Sequence, residues 1–249
     1  MAALLAACTA LPPQPRIGWQ SSGDVENLVL ADRAGLMALQ DLTAEVSIEL
    51  SDGEDNRLSA TGSVLFRPPD LLRLDVRGSL FQHVLTAVLY GDSLFSLSQG
   101  EHRRFSARRG LQTYLNIDIA DYDPRFLLLG AVQPGTLDPD REVEYPRGDR
   151  AIVYLADAAG GQRALRINLY RGFVESEELF DAYGELQWRR LLRAYRRLEL
   201  GGSRGVLYLP AQVEIRGRRG KIKLGYRNWK LNRELPDAAF TQGVEAARR

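Results

Sequence analysis

Strict alternation of apolar and polar residues constrains the fold of this chain more than any other feature. The segment Leu42-Thr-Ala-Glu-Val-Ser-Ile-Glu-Leu50 has an apolar side chain at every second position, and the same period returns between Leu58 and Phe66. Because successive side chains of a strand point to opposite faces of a sheet, each segment has one dry and one wet face. We therefore expect a sheet that is buried on one side.

Short turns separate the alternating segments, as in Ser51-Asp-Gly-Glu-Asp-Asn56 and Gln99-Gly100. Such turns are too short for crossover connections, so neighbouring strands are antiparallel. We count about ten or eleven strands, and the last two form a hairpin over 206–231. Residues 186–198 fit either a helix or a bulged strand, and the strands on either side favour the strand.

Two regions have helical rather than alternating patterns. Residues 25–40 repeat their apolar positions at helical spacing after Asp24, a plausible N-cap, and residues 110–132 contain two short helical segments. No internal linker divides the chain after residue 24. A sheet of this length must curl or be covered to hide its apolar face. We expect a mainly β (α+β) fold, a single strongly curved antiparallel half-barrel over 24–249 with an N-terminal helix and a helical lid.

Composition excludes several function classes. The 249 residues carry a net charge of +1, which gives no reason to expect nucleic acid as a partner. There is no apolar run near the ~20 residues that a membrane helix needs. Two histidines and one cysteine give no metal-site spacing, and phosphate-binding or dinucleotide-binding glycine runs are missing. We expect neither an enzyme nor a cofactor or metal.

Charged residues cluster in the last third of the sequence. Acidic side chains at Glu175, Glu177, Glu178 and Asp181 precede a basic set, which consists of Arg189, Arg190, Arg193, Arg196, Arg197, Arg204, Arg216, Arg218, Arg219 and Lys221. The basic set could meet anionic headgroups or an acidic carrier protein, but we interpret it as a solvated sheet face that the acidic residues partly neutralise.

The N-terminus contains a second informative motif. Leu5-Ala-Ala-Cys8 resembles a bacterial lipobox, in which the cysteine is acylated and becomes the first residue after cleavage. A Pro-rich tether, residues 9–23, follows it. No basic residue precedes Arg16 and the apolar run is short, so we expect residues 1–8 to be a truncated lipoprotein signal. A diacylglyceryl group plus an amide-linked chain on Cys8 would give the two anchors that stable membrane attachment needs. Thr9, rather than Asp, after the cysteine is compatible with sorting to the outer membrane.

The order of elements resembles the LolA/LolB family of lipoprotein carriers and receptors. Residues 62–76, Gly-Ser-Val-Leu-Phe-Arg-Pro-Pro-Asp-Leu-Leu-Arg-Leu-Asp-Val, are similar to the strand–Pro–strand unit of that family. The tail 209–232 is similar to the closing hairpin of LolB-like lipoproteins. The resemblance spans roughly 25–242, whereas residues 173–204 have no clear counterpart in the family.

The resemblance implies a lipid-anchored protein on the periplasmic face of the bacterial outer membrane. Its hydrophobic cavity would bind acyl chains of lipoproteins or phospholipid, received from a soluble LolA-like periplasmic carrier. The cavity wall would use alternating strand positions, namely Val46, Ile48, Val64, Phe66, Leu74, Val76, Leu85, Leu89, Ile167 and Leu169. A loop with Leu80 and Phe81 would insert into the membrane, since two large apolar residues on a loop are costly to expose otherwise.

Two other interpretations remain open. The same fold could serve as a non-carrier envelope scaffold or stress-sensing lipoprotein, with the wall residues filling a solid core and Leu80 and Phe81 folded onto it. Alternatively, Cys8 is incidental and the protein is soluble, without a lipid anchor.

Overall fold

The computed structural model describes residues 35–51, 57–78, 82–107, 109, 122–133, 136–137, 143–147, 149–156, 160–200, 205–218 and 220–244. Helical residues at Gly35–Met37 lie at the end of the predicted N-terminal helix, and the remainder of that helix falls outside the described residues.

Within the described residues, fourteen strands form a single antiparallel sheet, as the alternating pattern predicts. In chain order they are β1 (Leu42–Ser51), β2 (Arg57–Arg67), β3 (Leu71–Arg77), β4 (His83–Tyr90), β5 (Ser93–Ser98), β6 (Glu101–Ser106), β7 (Thr136–Leu137), β8 (Glu144–Arg147), β9 (Arg150–Ala156), β10 (Gln162–Asn168), β11 (Phe173–Phe180), β12 (Leu186–Glu199), β13 (Val206–Gly217) and β14 (Lys221–Leu231).

The first and last strands meet in the middle of this sheet. Its order is β6-β5-β4-β3-β2-β1-β14-β13-β12-β11-β10-β9-β7, and β8 pairs with β9 beside β7. Leu42 lies opposite Leu231, and Ser51 lies opposite Lys221. The two ends of the path, β6 and β7, do not pair, so the sheet is an open half-barrel.

The structure resolves the uncertain segment after residue 173. Residues 173–180 form β11, a strand beyond the ten or eleven expected, and residues 186–199 form β12 rather than a helix. The predicted strand is therefore confirmed. Its irregularity lies against β11, where the register shifts between Leu179 and Phe180 and Gln187 is the extra residue. The pairing with β13 keeps one register on both sides of Ala194, which has φ +55°.

The two faces of the sheet bury different clusters. We define the inner face as the one whose side chains join the main hydrophobic cluster, for example Val46 of β1 and Val64 of β2. On the outer face, Leu71, Val88 and Phe95 pack against Phe240 of the C-terminal helix α2 (Asp237–Thr241). Strands β3, β4 and β5 lie between the two clusters and contribute alternate residues to each of them.

A short helix, α1 (Pro124–Leu129), packs on the inner face within the region where the sequence predicts two helices. The Asp123 carboxylate accepts a hydrogen bond from Arg125 N, Pro124 occupies the first turn, and Gly130 ends the helix at φ +75°. These residues are the ordinary start and stop signals of a helix, so the sequence sets its length locally. The predicted segment 110–121 lies outside the described residues.

Contacts of α1 require the sheet to curl. Arg125 Nη1 donates to the Asp70 carbonyl between β2 and β3, and Arg163 Nη1 of β10 donates to the Gln133 carbonyl just after α1. Strands β3 and β10 are seven positions apart, which is ~34 Å in a flat sheet at ~4.8 Å per strand. A six-residue helix is only ~9 Å long. The two halves of the sheet must therefore approach each other around α1.

Across the described ranges, no helix combines the length and apolarity needed to cross a membrane.

Asp41 fixes the point where the chain leaves the sheet for the outer face. Its buried carboxylate accepts hydrogen bonds from the backbone N–H groups of Arg233 and Leu235, both at 2.8 Å. Asn232 N also donates to the Asp41 carbonyl at 2.9 Å. These bonds join the start of β1 to the segment that enters α2.

We expect Asp41→Ala to lower the free energy of unfolding by about 1–3 kcal/mol, because a buried carboxylate that accepts two part-buried backbone N–H groups is lost. Urea unfolding followed by tryptophan fluorescence measures the change. Asp92→Ala, which alters an exposed turn, is the control and should change stability by less than about 0.5 kcal/mol. Equal stability of the two variants would contradict the role assigned to Asp41.

Candidate functional site

The candidate site is the inner face of the half-barrel together with the segment that covers it. All ten residues predicted to line a cavity belong to strands or to the turn after β10. Seven of them are buried in the main cluster, each 7% exposed or less: Val46, Ile48, Val64, Phe66, Leu89, Ile167 and Leu169. Leu74, Val76 and Leu85 are half-buried. Whether any of the ten touches an acyl chain stays a prediction.

Exposure of the inner face increases toward one end of the strands β1–β4. In β1 it rises from 0% at Leu42 to 7% at Ile48, and Leu50 is half-buried. In β2 it rises from 2% at Phe66 to 69% at Leu58.

The other half of the sheet does not share this gradient. In β14, Ile222, which lies opposite Leu50, is 1% exposed, and Leu231, which lies opposite Leu42, is half-buried. The open end of β1–β4 is therefore a part of the apolar face that solvent or a ligand reaches.

Residues 122–133, which we call the covering segment, are bonded to both halves of the sheet. Beside the Arg125 and Arg163 contacts, the Tyr226 hydroxyl of β14 donates to the Leu128 carbonyl at 2.6 Å. Leu127, Leu128 and Leu129 are all buried in the main cluster. Apolar packing therefore holds the segment down, and a few polar bonds set its position.

A buried polar cluster joins the covering segment to β10, β11 and β12. It consists of Tyr122, Arg163, Glu177 and Arg190, each 3% exposed or less. Glu177 accepts from Arg190 Nη2 at 2.5 Å, from the Tyr122 hydroxyl at 2.9 Å and from Arg163 Nη1 at 3.2 Å. Each carboxylate oxygen thus has at least one charged donor.

Arg190 also satisfies the C-terminal end of α1. Its Nη1 donates to the carbonyls of Phe126 and Leu127 at 2.8 and 3.2 Å, and its Nη2 donates to the Ala131 carbonyl at 3.0 Å. A cation at this end of a helix is favourable because the last carbonyls have no partner within the helix. Arg190 therefore fixes the position of α1 relative to the sheet.

Burial sets the protonation states in this cluster. It raises the pKa of Tyr122 far above its ordinary value, so the phenol stays neutral and acts as a hydrogen-bond donor to Glu177. Burial alone lowers the pKa of Arg190, but the neighbouring Tyr122 and Glu177 outweigh that effect and the net pKa is raised. Two cations and one anion are thus buried together, and backbone carbonyls stabilise the excess positive charge.

The structure corrects one interpretation made from sequence. Arg190 does not belong to a solvated face, because it is fully buried and paired with Glu177. Arg189, next to it, points to the outer face and pairs with Glu178. The sequence signal that was missed is the position of Arg190 in the alternating pattern. Arg190 lies on the same face of β12 as Trp188 and Leu192, which are both buried. A charged residue in step with apolar neighbours predicts a buried charge that needs a partner.

The other predicted functional residues fall outside the described residues. These are Cys8, the tether, and the pair Leu80 and Phe81. The ends of the loop that carries the pair are described, and Gly78 N donates to the Gln82 carbonyl at 2.9 Å. Its assignment as a membrane contact therefore stays a prediction.

The outer face has a separate groove of about 660 Å³ across β9, β10 and β11. Arg166, Glu178 and Gln162 lie in its wall beside Tyr154 and Phe180. These charged and amide groups make the groove a poor match for acyl chains, which need apolar walls. Within the described part of the chain, no three His, Cys, Asp or Glu side chains are close enough to hold a metal ion.

Comparison with known proteins identifies the fold. No family profile matches the sequence, and no curated protein matches it. A LolA superfamily protein from Nitrosomonas europaea superposes with a TM-score of 0.59 at 15% identity, covering 90% of this chain and 99% of that one.

Two further solved structures agree with this assignment. A DUF1329 family protein from Desulfovibrio piger has a TM-score of 0.62 at 11% identity, covering 90% of this chain and 98% of that one. A domain assigned to outer membrane lipoprotein sorting, from Vibrio parahaemolyticus, has a TM-score of 0.60 at 10% identity, covering 88% of this chain and 96% of that one. At these identities the likeness concerns the fold alone. The chain has a LolA/LolB-like fold.

Proposed function

We propose that this protein is a lipid-anchored carrier or receptor that binds acyl chains against its inner face and helps to insert lipoproteins or lipids at the bacterial outer membrane. The observation that carries the proposal is the gradient of exposure along the apolar inner face of β1–β4. Residues near α1 are fully buried, whereas Leu50, Leu74, Val76 and Leu85 at the other end are half-buried. An acyl chain placed there would cover an apolar surface that the fold leaves partly open.

The energetics suit reversible binding. Removing a methylene from water is worth about 0.8 kcal/mol, whether it enters a protein cavity or a bilayer. Transfer between the two is therefore close to balanced, and small differences in packing decide its direction. The half-buried inner-face positions are aliphatic and offer no charged group that would retain a headgroup.

The covering segment provides a way to change access to this surface. It is a short segment whose polar bonds to the sheet involve the side chains of Arg163, Glu177, Arg190 and Tyr226 and the Asp70 carbonyl. Displacing it would break those bonds without separating any pair of strands, because strand pairing does not involve residues 122–133. We propose that acyl chains enter when this segment moves.

The lipid anchor and cellular location are part of the same proposal. Acylation of Cys8 would hold the protein at the periplasmic face of the outer membrane, and a soluble LolA-like protein would deliver the cargo. The assigned role of the Vibrio parahaemolyticus domain in outer membrane lipoprotein sorting supports this location. No catalytic step is proposed.

A second candidate is a non-carrier scaffold or stress-sensing envelope lipoprotein with the same fold. The observation in its favour is that seven of the ten predicted wall residues are buried in the main cluster. A solid core would explain that burial without a ligand. Acyl binding distinguishes the two candidates.

Weakening one bond of the covering segment should speed up ligand exchange. Tyr226→Phe removes the hydroxyl that donates to the Leu128 carbonyl and keeps the ring. We expect a stability loss of about 1 kcal/mol and a several-fold faster release of a bound fluorescent fatty acid, measured by stopped-flow displacement.

Tyr195→Phe is the matched control for this experiment. It removes the same kind of bond, from the Tyr195 hydroxyl to the Val174 carbonyl at 2.8 Å, at a position away from the covering segment. It should cost similar stability and leave the release rate unchanged. Equal release rates for the two variants would remove the gating role of the segment.

The loop between β3 and β4 supplies the second test. Leu80→Glu combined with Phe81→Glu should abolish transfer of a lipoprotein to vesicles while leaving the far-UV circular dichroism spectrum and the melting temperature unchanged, because charged residues do not enter the bilayer. Transfer at the parental rate would eliminate this loop as the membrane contact.

A further inference from the structure

Six hairpins have their connected strand ends at one rim of the half-barrel. They are β1–β2, β3–β4, β5–β6, β9–β10, β11–β12 and β13–β14, and we call the described residues at these strand ends, with the turns 99–100 and 181–185, the hairpin rim. Pairing of Ser51 with Lys221, Gln162 with Phe180, and Trp188 with Gly217 brings these strand ends to the same end of the sheet.

Exposed apolar side chains concentrate at the hairpin rim. Seven large apolar residues are prominently exposed among the described residues, and four of them lie at this rim: Leu58, Val84, Tyr183 and Leu186. They include the two most exposed, Tyr183 at 93% and Leu58 at 69%. The four belong to three different hairpins, so a broad partner surface is needed to cover them together.

Tyr183 is presented on a fixed backbone. The Asp181 carboxylate accepts from the N–H groups of Tyr183 and Glu185, both at 2.9 Å, and the Asp181 carbonyl accepts from Gly184 N. Arg218 of the neighbouring hairpin pairs with Glu185 at 2.6 Å. The tip is therefore held in place while the phenol projects into solvent.

We infer that the hairpin rim rests on the lipid bilayer and that Tyr183 is its interfacial anchor. Tyrosine suits the headgroup region because its ring is apolar and its hydroxyl is polar. Leu186 of the same hairpin and Leu58 of β2 add apolar area along the rim. The inference rests on the proposed function, because it places the half-exposed end of the inner face, and the predicted Leu80 and Phe81 loop, against the membrane.

The length of sequence that precedes β1 suits this orientation. The chain enters β1 at the opposite rim, one strand length away, and an eleven-residue strand such as β2 spans ~37 Å. A fifteen-residue tether such as 9–23 would span up to ~50 Å if fully extended. An anchor at Cys8 would then let the hairpin rim face the same bilayer.

Vesicle flotation of the full chain carrying Cys8→Ser, which removes the anchor, tests the inference. The probe is phosphatidylethanolamine–phosphatidylglycerol vesicles without cargo. Tyr183→Ser should reduce the partition coefficient about five-fold or more, as expected for losing part of the burial of one aromatic side chain. Tyr183→Trp should restore binding, and its added emission should shift to the blue on vesicles.

Tyr170→Ser is the matched control, since Tyr170 is an exposed turn tyrosine at the opposite rim. It should bind like the parent. The inference would be overturned if the parent did not bind vesicles, if both serine variants lost binding equally, or if Tyr183→Ser bound at the parental level. It would also be overturned if the hairpin rim bound a protein and did not bind vesicles.

Fatty-acid binding of the same proteins in solution separates this inference from the proposed function. Tyr183-dependent flotation without fatty-acid binding contradicts only the carrier function. Fatty-acid binding with Tyr183-independent flotation contradicts only the role of the rim.

Discussion

An open antiparallel sheet with one long apolar face has to cover that face, and this requirement governs the architecture. Fourteen strands curl around α1 instead of closing on themselves. The curl brings β3 and β10 close enough for one twelve-residue segment, 122–133, to bond to both. The outer face meets the same requirement differently, since the C-terminal segment packs Phe240 against Leu71, Val88 and Phe95. The inner face of β1, β3 and β4 is left half-buried at Leu50, Val76 and Leu85.

The buried polar cluster determines how the covering segment sits. Apolar packing of Leu127, Leu128 and Leu129 is not directional, so it would tolerate several positions of α1. The hydrogen bonds from Arg190 to the carbonyls of Phe126 and Ala131 are directional and select one position of α1. Removing one partner of a buried ion pair costs about 3–5 kcal/mol. Moving the covering segment would take Tyr122 and the backbone carbonyls away from Arg190 but would leave Glu177 paired with Arg190 and Arg163. The ion pairs can thus stay in the sheet while the segment moves.

Much of this fold could be predicted from sequence because its strands alternate cleanly and its turns are short. Strand β12 has a pattern that also fits a helix, and it could be predicted because the strands on either side favour a strand. The LolA/LolB-like fold is confirmed. Strand β11 was not predicted, because Glu175, Glu177 and Glu178 obscure its alternation of apolar and polar residues. Burial of Arg190 was readable from its phase with Trp188 and Leu192. The partners of Arg190 could not be predicted from the sequence. Its pairing with Glu177 depends on the register between β11 and β12, and Tyr122 lies 68 residues away in the chain.

Photo-cross-linking with a photoactivatable fatty acid tests the central claim most directly. The account predicts saturable labelling of peptides containing Leu74 and Val76 on the half-exposed end of the inner face, and competition by unlabelled fatty acid. Labelling confined to the outer groove around Tyr154, or labelling that no competitor reduces, would contradict a carrier that binds acyl chains inside the half-barrel.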